Sequence, residues 1–136
     1  MRVLGIKLVP LIAAAVLIYA VGALIYGVLF SAQWMALSGY TADMLVGEQW
    51  RMALSPLMPL MIALGMGLLI KDRGITTLMA GLRLGVMVGF LFLVAARLYH
   101  YAYGNEPLGL LLLDCAHLLA NAMIAGAVLG AMKAAE

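Results

Sequence analysis

LGLLLLDCAHLLANAMIAGAVLGAM, residues 108–132, is apolar enough to cross a bilayer, yet it holds an acid, an imidazole and an amide at Asp114, His117 and Asn121. A helix rises about 1.5 Å per residue, so roughly 20 apolar residues bridge the hydrocarbon of a membrane. The three polar residues are spaced i, i+3 and i+7, which places them on one helical face. A carboxylate turned toward lipid costs about 2.5–3.5 kcal/mol on insertion scales. That face should point into a bundle or a wet cavity, and either one requires further helices.

Three other apolar segments supply them, at 8–30, 53–70 and 78–98, the third extending toward Tyr101. Backbone in hydrocarbon must satisfy its own polar groups, so each span is expected to be helical. The alternation that marks a β-barrel strand is missing from all four. The connections KDRGITT (71–77) and YGNEP (103–107) are short, which makes sequence neighbours antiparallel. The fold class that follows is all-α, an integral membrane up-down four-helix bundle forming a single domain over residues 1–136. Composition agrees: 67% of the 136 residues are hydrophobic and 10% are charged, with a mean hydropathy of +1.13. A soluble domain carries about 25% charged residues. The opening MRVLGIK has the charge of a secretory leader, but the apolar run behind it outlasts a leader's core of about 7–15 residues, so it is read as a retained first span.

Lys and Arg set the orientation. Arg2, Lys7, Lys71, Arg73 and Lys133 fall on one side, with Arg83 able to reach it, against Arg51 and Arg97 on the other. Both termini are therefore expected to be cytoplasmic. A net charge of +2 without a basic–aromatic patch gives no footing for nucleic acid. The single cysteine, Cys115, excludes an internal disulfide and any Cys-based zinc or iron–sulfur site.

The long connection SAQWMALSGYTADMLVGEQWRM (31–52) is broken by Gly39, and Ser38 or Thr41 could cap a short interfacial helix between spans 1 and 2. Trp34, Tyr40 and Trp50 suit the interface, where an aromatic ring sits half in lipid and half in water. The segment reads as an interfacial stretch, with a lid or docking surface as the alternative. Gly81, Gly85 and Gly89 recur every four residues on the third span, and Ala122, Gly126 and Gly130 do so on the fourth. Small residues let helices approach closely in lipid, so these two ridges are expected to face one another or a second chain.

These residues resemble a known family. VGALIYGVLFSAQWMALSGYT (21–41), a Pro-interrupted span and a final hairpin ending in LLLLDCAHLLANAMIAGAVLGAMK resemble the bacterial membrane family called domain of unknown function 1761. Its members have a Gly-Ala-Leu-aromatic-Tyr element and a Trp-Met-x-Leu-(Ser/Thr)-Gly element. The first maps onto Gly22, Ala23, Leu24 and Tyr26, with Ile25 in place of the aromatic, and the second onto Trp34, Met35, Leu37, Ser38 and Gly39. The resemblance implies a four-span bacterial membrane protein, and the expected location is the bacterial inner (cytoplasmic) membrane. It implies no activity.

The polar face has a candidate partner. Arg97 lies about as far before the turn near Asn105 as Asp114 lies after it, so an Arg97–Asp114 ion pair is expected, with Asn105 capping the last helix and Pro107 in its first turn. Arg97, Asp114, His117 and Asn121 then form an intramembrane polar cluster, which either fastens helices or lines a polar cavity or proton path with His100 and Tyr26. His100 and His117 differ in depth by roughly 10 Å, a poor match for the two axial ligands of one haem. No cofactor is expected, although a haem or chlorophyll-type pigment on a single histidine stays open. H-E-x-x-H, Walker and G-x-S-x-G patterns are missing, and no metal ligand set stands out. Tyr99, Tyr101 and Tyr103 read as an interfacial belt, and the eleven methionines read as plastic packing.

Together these features point to a non-enzymatic integral membrane protein, an accessory or scaffolding subunit that associates with itself or with a larger membrane complex. The alternative is a protein that handles a small molecule or protons through a cavity around Asp114 and His117.

Overall fold

The computed structural model describes the backbone of residues 1–136 and all side chains except those of Ala42 and Leu45. Four apolar helical stretches, Leu8–Leu29, Gln49–Asp72, Leu78–Tyr103 and Leu108–Ala131, are long and apolar enough to cross a membrane. They form an all-helical bundle. The chain is thus a multi-pass membrane protein by the length and composition of its helices.

A small hairpin precedes the first helix. β1 (Arg2–Val3) pairs antiparallel with β2 (Ile6–Lys7), Arg2 opposite Lys7 and Val3 opposite Ile6. The two-residue turn needs positive φ at both positions. Gly5 adopts φ 88° at little cost, while Leu4 is forced to φ 52°. Lys71 Nζ donates to the Leu4 carbonyl at 3.1 Å, and the Lys7 amide donates to the Ala134 carbonyl at 2.8 Å. The hairpin inserts Ile6, which is fully buried, against the bare backbone of Gly67 on the second span.

α1 (Leu8–Leu24) continues into a π-helical turn at Ile25–Leu29, closed by the Phe30 amide donating to the Ile25 carbonyl at 2.8 Å. α2 (Ser31–Ser38) follows and ends at Gly39 in the left-handed conformation, φ 72°. A short helix does lie between spans 1 and 2, but it precedes Gly39 and ends at Ser38, whose hydroxyl donates to the Met35 carbonyl at 3.4 Å instead of capping a helix start. Thr41 stands at the N-cap of the next turn, but its hydroxyl makes no capping bond. Two 3-10 turns, Ala42–Leu45 and Gln49–Leu54, lead into α3 (Leu57–Asp72). The second helical stretch therefore begins earlier than residue 53, as 3-10 helix. Pro56 and Pro59 have no N–H to give, and the regular ladder starts with the Leu60 amide on the Pro56 carbonyl.

α3 closes at Gly74, φ 61°, and Thr77 caps α4 (Leu78–Val88) by accepting from the Ala80 amide at 3.3 Å. α4 passes through a second π-helical segment, Gly89–Val94, into α5 (Ala95–Tyr103), so the third stretch reaches beyond residue 98. α6 (Leu108–Ala131) starts with Pro107 at the N-cap, its carbonyl accepting from Leu110 at 3.1 Å and Leu111 at 3.4 Å. Asn105 does not cap this helix. The fixed φ of Pro107 and its extended ψ present the carbonyl to the first turn, and the cap falls one residue before the helix at the proline itself.

α6 is the central helix. α1, α3 and α4 all pack on it, and α1 also packs on α3. The side between α3 and α4 is open, leaving an apolar groove of about 310 Å³ whose floor includes Ala122. The apolar core lies toward the hairpin end, where Ile6, Leu11, Ala14, Ile18, Ala63, Met66, Ile70, Leu84, Ala125 and Leu129 pack together.

The glycine ridges of α4 and α6 face one another. A Cβ on Gly81 would overlap the Gly126 carbonyl, one on Gly85 the Ala122 carbonyl, and one on Gly130 the Thr77 carbonyl. Gly89 meets Leu119 and the Ala122 methyl group. In lipid such close approach yields dispersion contact between backbones that larger side chains would prevent.

Candidate functional site

At the end of the bundle remote from the hairpin, the apolar core gives way to polar side chains. Arg97 of α5 extends across the turn into α6, and its Nε donates to Asp114 Oδ2 at 2.8 Å. The hairpin geometry forces this meeting, because the two residues sit at matching distances from the α5–α6 connection. The guanidinium makes a second ion pair from Nη2 to Glu106 Oε2 at 2.5 Å. Arg97 is 12% exposed, Glu106 20% and Asp114 22%, so all three charges are largely withdrawn from the surroundings.

Asp114 is bound from a third element as well. Tyr26, one helical turn beyond Gly22 on the first stretch, faces α6, and its hydroxyl donates to Asp114 Oδ1 at 2.6 Å. Both oxygens of the carboxylate are thereby engaged, one by a phenol and one by a guanidinium. Charge-assisted bonds of this kind are roughly twice as strong as neutral ones. Glu106 in turn reaches His100, whose Nε2 lies 2.8 Å from Glu106 Oε1. His100 is the exposed member, at 69%. Two carboxylates face one guanidinium here.

Deeper along α6, His117 meets the edge of the Tyr26 ring, with centroids 4.9 Å apart and planes at 87°. The Asn121 side-chain amide nitrogen lies 3.2 Å from His117 Nε2, within hydrogen-bond distance, the ring's tautomer setting which group donates. Gly22 of α1 stands opposite, and a Cβ there would come within 2.9 Å of His117 Nε2. Asn121 is buried. Its Oδ1 and the Nη1 of Arg97 are buried polar atoms without a partner among the described residues.

Arg97, Asp114, His117 and Asn121 thus form one cluster, joined by Tyr26. Glu106 is a further member that the sequence analysis did not bring into the cluster. Its spacing of nine residues from Arg97 across a short turn was the available signal. The two histidines make separate contacts, His100 with Glu106 and His117 with Tyr26 and Asn121.

An aromatic ladder leads from the cluster to the long connection. Trp34 of α2 meets Tyr26 edge-on at 6.3 Å between centroids, and Tyr40 stacks on Trp34 at 5.8 Å. Trp50 stands apart, 63% exposed, with the Arg51 guanidinium 5.7 Å from its ring centroid. Leu37 packs on the bare backbone of Gly109 at the start of α6. Gly22, Tyr26 and Leu37, which help carry the family resemblance, therefore bear on the N-terminal half of α6, and Trp34 reaches it through Tyr26.

Comparison with known proteins agrees with that resemblance. The family model described as "Protein of unknown function (DUF1761)" matches residues 9–130, and the chain belongs to that family. No curated protein and no solved structure matches it.

Proposed function

We propose that this DUF1761 member is a non-enzymatic integral membrane protein of the accessory or scaffolding kind, residing in a bacterial inner membrane with its hairpin end in the cytoplasm. One observation carries the reading: Tyr26, Arg97, Glu106 and Asp114 bond to one another across the first stretch, α5, the turn and α6. Most of their hydrogen bonds go into holding the bundle. The facing glycine ridges act the same way. What the protein offers to other molecules is an apolar outer surface and an end rich in cations, which suits association with its own copies or with a larger membrane complex. The orientation rests on Arg2, Lys7, Lys71, Arg73 and Lys133, all at the hairpin end.

The orphaned Arg97 Nη1 and Asn121 Oδ1 favour a second reading. In it the cluster handles protons or a small polar molecule, entering past exposed His100. Reconstitution into vesicles loaded with a pH-sensitive dye separates the two. The scaffold reading expects no proton flux above that of empty vesicles, and co-purification in mild detergent with stoichiometric copies or partners. Flux that Asp114→Asn abolishes, with unchanged thermal stability, would overturn it. The reading calls for no prosthetic group, so a Soret or near-infrared band in the purified protein would also contradict it.

A further inference from the structure

We infer that the hairpin end holds a binding site for one anionic phospholipid, with its phosphate on Arg2 and Lys7 and an acyl chain along α1. The inference rests on the chain's being embedded in a bilayer. The site is a hollow of about 350 Å³ lined by Met1, Arg2, Lys7, Leu8, Val9 and Pro10. Its two halves differ in chemistry as the two halves of a lipid do. The hairpin contributes the cations, and the first turn of a membrane-crossing helix contributes the apolar wall.

The cationic half is built rather than loose. Arg2 donates to the Gly5 carbonyl at 3.2 Å and also to the Glu136 carbonyl. The strand carrying Lys7 is pinned by its amide bond to Ala134. The Lys7 ammonium forms no ion pair among the described residues, whereas Lys133 is paired with Glu136 at 3.5 Å. Arg2, Lys7, Lys71, Arg73 and Lys133 face only Asp72 and Glu136 at this end, so the local field favours an anion. Each basic residue near a membrane surface adds attraction for anionic lipid, and a basic hollow at the end of a helix can hold a headgroup.

The apolar half continues the site into the membrane. Val9, Ile12, Val16 and Tyr19 succeed one another at i, i+3, i+7 and i+10 and share one face of α1. All four are exposed. This stripe starts directly beneath Arg2 and Lys7, so a headgroup seated on those cations has its acyl chain lying along it.

The test is native mass spectrometry on the full chain, delipidated in detergent and then offered equimolar phosphatidylglycerol and phosphatidylcholine of identical acyl chains. The expected result is preferential retention of one phosphatidylglycerol. Arg2→Gln with Lys7→Gln should lower that preference about tenfold or more, and Arg51→Gln at the opposite end should leave it unchanged. Lys7→Glu keeps every hairpin hydrogen bond, so with an unaltered circular dichroism spectrum it should abolish the preference. Equal retention of the two lipids, or a preference that survives Lys7→Glu, overturns the inference. So does displacement of the lipid by millimolar inorganic phosphate, which would mark a site for the free anion.

Discussion

Arg97 Nε and Asp114 Oδ2 lie 2.8 Å apart across the turn that joins α5 to α6, and the same guanidinium holds Glu106. One cation thus serves two carboxylates. Removing a partner from a buried pair typically costs about 3–5 kcal/mol, because the remaining charge is stranded. The three members should therefore respond unequally.

Arg97→Gln is expected to be the most damaging change, near that range, since it strands two acids that then repel each other. Asp114→Asn and Glu106→Gln should each cost less, because Arg97 keeps its other partner. Thermal unfolding in detergent measures the order. Equal losses at the three positions would remove Arg97 from the centre of the cluster.

Gly81→Ala should lower stability by about 1–3 kcal/mol or more, the usual effect of overpacking, because the added methyl group would enter the Gly126 backbone. Gly65→Ala on α3 meets nothing within 4 Å and should be neutral or mildly stabilising. The pair of melting temperatures, compared with wild type, checks the close approach of α4 to α6.

Tyr26→Phe deletes one interhelical hydrogen bond and should cost about 0.6–1.7 kcal/mol. Gly22→Ala should instead push the His117 ring off Asn121, since the new Cβ would stand 2.9 Å from Nε2. The imidazole ¹⁵N shifts of His117 should move in Gly22→Ala. Unmoved shifts would place the ring elsewhere.

Trp50 should report the membrane interface. In a Trp34→Phe background, lipids brominated near the headgroup should quench it more than lipids brominated at the chain ends. The reverse order would bury residues 39–54 in the hydrocarbon and end the interfacial reading of that connection.

The bundle was legible because hydrophobic length is a strong signal in membranes, and the Arg97–Asp114 pair was legible because a short turn fixes the register of its two helices. The hairpin was not. Strands of two residues carry no periodicity, and Arg2 and Lys7 look like ordinary flanking charges. The π-helical turns at Ile25–Leu29 and Gly89–Val94 leave no trace in an apolar run, because a local change of hydrogen-bond spacing leaves its composition untouched. The distribution of small residues disclosed two glycine ridges but left open whether they met each other or another chain.

The most direct test of the polar cluster as an internal fastener is a double-mutant cycle on Arg97→Gln and Asp114→Asn, read as unfolding free energy in detergent. Contacting residues couple by about 0.5–3 kcal/mol, and the expected result is a coupling in that range, the double variant being more stable than the two single losses added together. Strictly additive losses, or stability unchanged in all three variants, would contradict the claim that these side chains hold the helices to one another.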